Sequence, residues 1–159
     1  MLLSMHRVAI NGFGRIGRSF FRLAYKTDDI EVVAINDLAP LDNLAYLLKY
    51  DSAHGRADFS VDTDESDALI VDGESIPYAS KKQPADLPWG VHDVDVAVEA
   101  TGGFREYNKR ADHFEAGAAH VVITPPAHGE PEEGGRGVGL IGVHDDEVEK
   151  MKGSSAGSW

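Results

Sequence analysis

A chain of 159 residues with 42% hydrophobic content is ordinary for one globular domain with a real core. It has no cysteine, which excludes disulfides, thiolate metal sites and a cysteine nucleophile within this chain. A formal net charge of −12 argues against nucleic-acid binding, because phosphate contacts need Lys and Arg, and no apolar run reaches the roughly 18 residues of a membrane-spanning helix.

The acidity favours solubility. It fits either a salt-rich cytoplasm, as in a halophile, or simply an acidic bacterial protein. Residues 1–5 (Met1-Leu2-Leu3-Ser4-Met5) are too short for the apolar core of a signal peptide, so a disordered N-terminus and a cytoplasmic protein are expected. The seven histidines are scattered without metal-ligand spacing, and no metal site is expected.

In chain order, residues 6–10 read as a first strand. Residues 15–26 read as a helix with Ile16, Phe20, Leu23 and Ala24 on its apolar face. Residues 31–35 form a second strand. Leu41, Leu44, Ala45 and Leu48 stand at helical spacing after Pro40, which suits a first turn. Residues 57–80 change character: short apolar runs separated by acidic turns, with Asp72-Gly73 as a hairpin signal, predict a small antiparallel insertion. Asp51, Ser52 and His54 read as turn chemistry. The buried-strand pattern resumes at Val94–Ala100. A helix follows over about 105–116, stopped by Gly117, and then a strand at 120–123. A polar loop at 128–136, a last strand at 137–143 and a short helix within 145–152 complete the domain. The small, polar residues 153–159 read as a flexible tail.

The chain is organised around Asn11-Gly12-Phe13-Gly14-Arg15-Ile16-Gly17. A β-branched run leads into G-x-G-x-x-G and then into a helix. Gly12 allows a tight turn, Gly14 lets a pyrophosphate approach the backbone, and Gly17 lets the helix lie close on the sheet. The helix start offers unpaired N–H groups and positive dipole to a diphosphate. That motif alone is a weak signal, but Asp37 ends the second strand 20 residues after Gly17, where a ribose-binding acid belongs. Alternating strands and helices predict a doubly wound, Rossmann-like α/β fold with a parallel sheet over 6–152, interrupted by the insertion at 57–80.

Beyond the glycine motif the matches become specific. They comprise Val8–Arg18, Ile35-Asn36-Asp37, Tyr50–Gly55, Pro84–Gly90, Glu99–Phe104 and Val121–Pro126. In that order and spacing the chain resembles the N-terminal, NAD-binding half of the phosphorylating glyceraldehyde-3-phosphate dehydrogenases, and also their relatives acting on erythrose 4-phosphate. The resemblance implies NAD as cofactor, with backbone groups of Gly12, Arg15 and Ile16 holding the pyrophosphate and Asn11, Phe13, Gly14 and Gly17 completing the turn. It implies Asp37, beside Asn36, on the adenosine ribose, where a carboxylate would repel a 2′-phosphate and so favour NAD. It implies Lys82 at the adenine-side position usually held by Arg. Thr101, Gly102 and Phe104 would line the adenosine side, and Thr124 stands where the family usually has Ser near the nicotinamide. His54 is not expected to act as a base, because the family uses that stretch structurally, near subunit contacts. The family is usually a tetramer, but many of the contacts come from a part with no counterpart here.

The resemblance fades from about His128 onward. The family's chemistry needs a thiolate in a Ser-Asn-Ala-Ser-Cys-Thr-Thr-Asn stretch with a histidine base. Here Gly142–Asp146 resembles its lead-in, but no cysteine follows. No catalytic residue is assigned, and the catalytic and substrate domain has no counterpart. The expectation is a chain that binds NAD without turning over the aldehyde. It is a truncated member of such an oxidoreductase, a non-catalytic nucleotide-binding module, or a fragment of the erythrose-4-phosphate enzyme.

Overall fold

A computed structural model describes residues 5–64, 67–103 and 111–124. The elements run β1 (His6–Asn11), α1 (Arg15–Ala24), β2 (Ile30–Asn36), α2 (Leu41–Lys49), then β3 (Tyr50–Asp51) and β4 (Gly55–Arg56). They continue with β5 (Val61–Thr63), β6 (Ala68–Val71), β7 (Glu74–Ala79), β8 (Val96–Glu99), α3 (Ala111–Glu115) and β9 (His120–Ile123).

Seven strands form one mixed sheet in the order β5-β6-β7-β2-β1-β8-β9. From β7 to β9 all neighbours pair in parallel, while β5-β6-β7 is an antiparallel meander. This is the expected Rossmann-like α/β sheet with its antiparallel insertion. Asp72 and Gly73, at φ 49° and 86°, take the two positive-φ positions of a tight hairpin turn between β6 and β7. The expected strands at 6–10, 31–35 and 120–123 are present, and α2 starts directly after Pro40. The two-residue pair β3/β4 and the 3₁₀ turn at Pro84–Asp86 carry no sequence periodicity long enough to announce them. The predicted loop, strand, helix and tail beyond residue 124 lie outside the described residues.

The strands are apolar on both faces, and each face has its own core. Ile10 and Ile35 face one side, with Phe13, Phe21, Leu44, Leu48 and Leu69. Ala9 and Ala34, one residue earlier on each strand, face the other, with Trp89, Val94, Ala97 and Ala118. That alternation is the period-two geometry of a strand covered on both sides. Arg22 Nη2 donates to the carbonyls of Leu48 (2.5 Å) and Gly55 (3.1 Å), tying α1 to the end of α2 and to the β3/β4 turn.

Helix α1 differs from the sequence expectation in its rotation. Its buried residues are Gly17, Phe21 and Ala24, whereas Ile16 and Leu23 are exposed. The cause is steric. A Cβ at position 17 would lie 2.0 Å from the Gly12 carbonyl oxygen, so only glycine fits where the helix meets the turn. The glycine therefore faces inward, and the larger apolar residues one step away turn to solvent.

Candidate functional site

The chain leaves β1 to form β2 on one side of it and later returns to form β8 on the other. The carboxyl ends of β1 and β8 therefore flank a topological switch point, the place where open α/β sheets form a ligand crevice. Gly12 follows β1 at φ 94°, and a Cβ there would stand 2.6 Å from the Thr101 nitrogen. The turns after β1 and after β8 thus touch through their backbones, and glycine is required by conformation and by space. Gly14 is the reverse case: a Cβ there meets nothing within 4 Å. Gly14 is also the N-cap of α1 and provides no side-chain cap. The first helical N–H groups have no intrahelical partner, and here they face an open approach.

Asp37 lies just beyond β2 and its carboxylate organises that opening. Phe13 N–H donates to Oδ2 at 2.6 Å and Ala39 N–H donates to Oδ1 at 2.9 Å. Each oxygen keeps a lone pair for a further donor. The Tyr78 hydroxyl lies against the carbonyls of Asp37 (2.7 Å) and Ala39 (2.6 Å) and holds the segment from behind. Burial, with the Asp37 charge adding to it, pushes the Tyr78 phenol up to about 12. Arg18 Nη1 donates to the Phe13 carbonyl, so both ends of the Phe13 peptide are fixed.

The structure brings most of the sequence-predicted residues to one edge of the sheet. Asn11 ends β1, and Gly12, Phe13, Gly14, Arg15, Ile16 and Gly17 form the following turn and helix start. Asn36 and Asp37 follow on the neighbouring strand, and Thr101 and Gly102 follow β8. Thr124 follows β9, donating from N–H and Oγ1 to the Glu99 carbonyl (3.1 and 3.2 Å). Lys82 is exposed in the turn after β7, and among the described residues no hydrogen bond or ion pair orders its side chain. Phe104 lies outside the described residues.

Three predicted side chains point inward instead of into the crevice. Phe13 is 1% exposed and packs edge-on against Phe21, with ring centroids 5.6 Å apart. Asn11 and Asn36 are buried and hydrogen-bond to each other. Their contribution at the surface is therefore through backbone placement. His54 is exposed; its N–H donates to Asp51 Oδ1 at 2.7 Å and its ring Nδ1 lies 3.1 Å from the same oxygen in a four-residue turn, as the turn chemistry predicts. The Asp51 carboxylate also takes the Ala53 N–H. These hydrogen bonds from the His54 and Ala53 N–H groups lower its pKa to about 2.

Beneath the crevice the predicted residues Asn11, Asn36 and Thr101 join a polar group with Glu99 and His113, to which the sequence assigned no role. Glu99, at the end of β8, is 1% exposed. Its Oε2 accepts from Asn11 Nδ2 (2.5 Å) and lies 2.9 Å from His113 Nε2. Its Oε1 accepts from the Thr101 N–H (2.8 Å) and from the Thr101 hydroxyl. Trp89 Nε1, which can only donate, reaches His113 Nδ1 at 3.1 Å. Nδ1 is therefore the acceptor, and the ring proton sits on Nε2, directed at Glu99. On the other side, Asn36 Nδ2 donates to Asn11 Oδ1 (2.7 Å) and to the Lys81 carbonyl (3.0 Å), while Lys81 N–H donates to Asn36 Oδ1 (2.8 Å). Burial alone would raise the Glu99 carboxyl. The hydrogen bonds from His113, Thr101 and Asn11 outweigh it and hold the group below its ordinary value. Spacing could not have joined Glu99 to Asn11 and His113, which stand 88 and 14 positions from it.

Among the described residues no group of three or more His, Asp or Glu could hold a metal ion, and no helix is long and apolar enough to cross a membrane.

Comparison with known proteins agrees with this geometry. Residues 6–107 match the family model described as "Glyceraldehyde 3-phosphate dehydrogenase, NAD binding domain". The chain is 50% identical over 143 residues to glyceraldehyde-3-phosphate dehydrogenase 1 of Candida glabrata, covering 89% of this chain and 41% of that protein. It is 50% identical over 124 residues to the glyceraldehyde-3-phosphate dehydrogenase of Priestia megaterium, covering 78% and 37%. It is also 50% identical over 121 residues to the cytosolic enzyme of Trypanosoma brucei brucei, covering 76% and 35%. The matched part thus spans about two-fifths of the length of these relatives.

Proposed function

Because the chain belongs to the family of glyceraldehyde 3-phosphate dehydrogenase NAD-binding domains, we propose that it holds NAD in the crevice between the turns that follow β1 and β8. The observation that carries this is the start of α1 at Gly14, where no side chain caps the helix and, among the described residues, the space over the glycine is open. The first helical N–H groups and the dipole of a ten-residue helix suit a diphosphate. The backbones of Gly12, Arg15 and Ile16 hold it, and Gly17 keeps the helix close enough to do so. Asp37 accepts the adenosine ribose hydroxyls with its remaining lone pairs, and its charge disfavours a 2′-phosphate. Lys82, Thr101, Gly102 and Phe104 serve the adenosine side and Thr124 the nicotinamide side. When bound, NAD supplies a hydride acceptor.

The larger enzyme that this domain would serve oxidises an aldehyde to an acyl phosphate in the cytoplasm, in the direction of glycolysis or its reverse. Homo-oligomeric assembly there is consistent with Tyr46, Leu47 and Tyr50, which form an exposed apolar face on α2 and β3. Glyceraldehyde 3-phosphate is the first candidate substrate and erythrose 4-phosphate the second. The 159 residues themselves carry no thiol, so this chain by itself binds cofactor without covalent aldehyde chemistry. That property also suits the second reading, a nucleotide-holding module.

A thermal-shift titration with NAD and NADP tests the binding. NAD is expected to raise the Tm by mass action, by about 2.7 kcal/mol of stabilisation at 100 times Kd, and NADP less. No shift with NAD would refute the site, and a larger shift with NADP would refute the role of Asp37. An assay with aldehyde, NAD and phosphate is expected to stay at background; turnover by the pure chain would refute the non-catalytic part.

A further inference from the structure

Glu99 is a buried carboxylate with no Lys or Arg among its hydrogen-bond partners in the described residues. Four donors converge on its two oxygens: Asn11 Nδ2, His113 Nε2, and the N–H and hydroxyl of Thr101. A proton on the carboxyl could be received only by the Thr101 hydroxyl, because Asn11 Nδ2, His113 Nε2 and the Thr101 N–H are all donors here. A buried charge is costly unless it is paired or fully hydrogen-bonded, so this one is retained against its desolvation. Its charge has the wrong sign to attract a diphosphate. Its partners, however, stand on both sides of the crevice. Asn11 is the last residue of β1, immediately before the Gly12 turn. Thr101 opens the turn after β8, and its hydroxyl also accepts from Gly103 N–H (3.1 Å). These are the two turns whose backbones meet at Gly12 and Thr101.

We propose that Glu99 is a positioning residue of the cofactor crevice: through Asn11 and Thr101 it locks the two crevice turns together, and His113, held by Trp89, fixes the carboxylate from behind. The inference rests on the reading of the crevice as the NAD site. Glutamine cannot replace it. With its oxygen toward His113 and Asn11, its NH₂ faces the Thr101 N–H. With its oxygen toward Thr101, its NH₂ faces Asn11 Nδ2 and the His113 proton, which cannot move to Nδ1 because the Trp89 N–H occupies that side.

The test compares Glu99→Gln with the unaltered 159-residue chain by calorimetric NAD titration well below Tm, and by amide hydrogen exchange without NAD. Glu99→Gln is expected to weaken NAD binding about tenfold or more, the size of one lost charge-assisted hydrogen bond. Exchange should rise selectively at Gly12, Thr101 and Gly103 relative to Ala9 and Ile35 in the sheet. A role in stability alone predicts a lower Tm, uniformly faster exchange and an NAD Kd within twofold of the original; that result would overturn the proposal. Should Glu99→Gln fail to fold, Thr101→Val removes the hydroxyl that joins Glu99 to the Gly103 N–H; because Thr101 also serves the adenosine side, the exchange pattern alone then decides, a selective rise at Gly12 supporting the proposal and a uniform rise overturning it. Absence of NAD binding by the unaltered chain would refute the NAD site itself, and the exchange pattern would then decide the positioning role by the same criterion.

Discussion

Replacing Gly17 by alanine isolates the contact that sets α1 against the turn. The added Cβ would start 2.0 Å from the Gly12 carbonyl oxygen, 3.1 Å from its carbon and 3.2 Å from Ile10 Cγ2. Ordinary contact begins at 3.4 Å, so in a close-packed interior the helix start must retreat by about 1.4 Å. Forcing extra volume into a packed site costs about 1–3 kcal/mol. The 2.0 Å contact is with backbone, which cannot swing aside, so the cost lies at the upper end, about 2–3 kcal/mol; alanine returns about 1 kcal/mol of helix propensity, leaving a net loss of about 1–2 kcal/mol. For a chain of this size that lowers the Tm by about 2–8 °C. The retreat also moves the helix N–H groups away from the crevice, so NAD Kd should rise at least about tenfold, the effect of one hydrogen bond to a charged group. Differential scanning calorimetry and isothermal titration read the two quantities. A Gly17→Ala chain that melts within 1 °C of the original (roughly 0.3–0.5 kcal/mol by the same scaling) and binds NAD equally well would refute the steric account of α1.

Gly14→Ala should separate binding from folding, because its Cβ meets no protein atom within 4 Å and its φ of −71° is ordinary; the Tm should stay within about 2 °C while NAD affinity falls, and an unchanged affinity would argue that nothing approaches the backbone there. Asp37→Ser should narrow the preference for NAD over NADP by about tenfold, as expected for removing one charge near a phosphate, and should weaken both because the Phe13 N–H loses its acceptor; a constant ratio counts against the ribose assignment. The Asp51 carboxyl should titrate in the folded chain near the lowered value of about 2. The contribution of its turn to stability is therefore complete above the ordinary carboxylate range and lost as pH falls through it towards 2; an NMR titration midpoint at the ordinary value for aspartate would refute the two N–H contacts as its cause.

The crevice was legible in the sequence because its requirements are local. A tight turn, an open approach and a close helix each demand glycine at a set interval, and Asp37 follows at a distance fixed by one helix and one strand. The rotation of α1 was not legible, because apolar periodicity gives no weight to glycine. It placed Ile16 and Leu23 inside, where the contact at Gly17 instead turns them outward. The polar cluster at Glu99 was hidden for a different reason. Glu99 falls in a buried-strand run and His113 in a helix, with nothing in the sequence to pair them, and only the fold brings β1, β8 and α3 together over Trp89. Hairpin chemistry at Asp72-Gly73 was readable from two residues, since few residue pairs accept positive φ twice in succession.

The pairing of Asn36 with Lys81 has a consequence for how the sheet ends. Backbone pairing between β2 and β7 stops at Asn36 and Ala79. Beyond it, the Asn36 carboxamide offers Lys81 one donor and one acceptor, the same pair a peptide unit presents. The side chain thus acts as a surrogate rung. Strand β7 can turn away without leaving the main chain of Lys81 unmatched, and the backbone beside Lys82 is anchored by a side chain from the neighbouring strand.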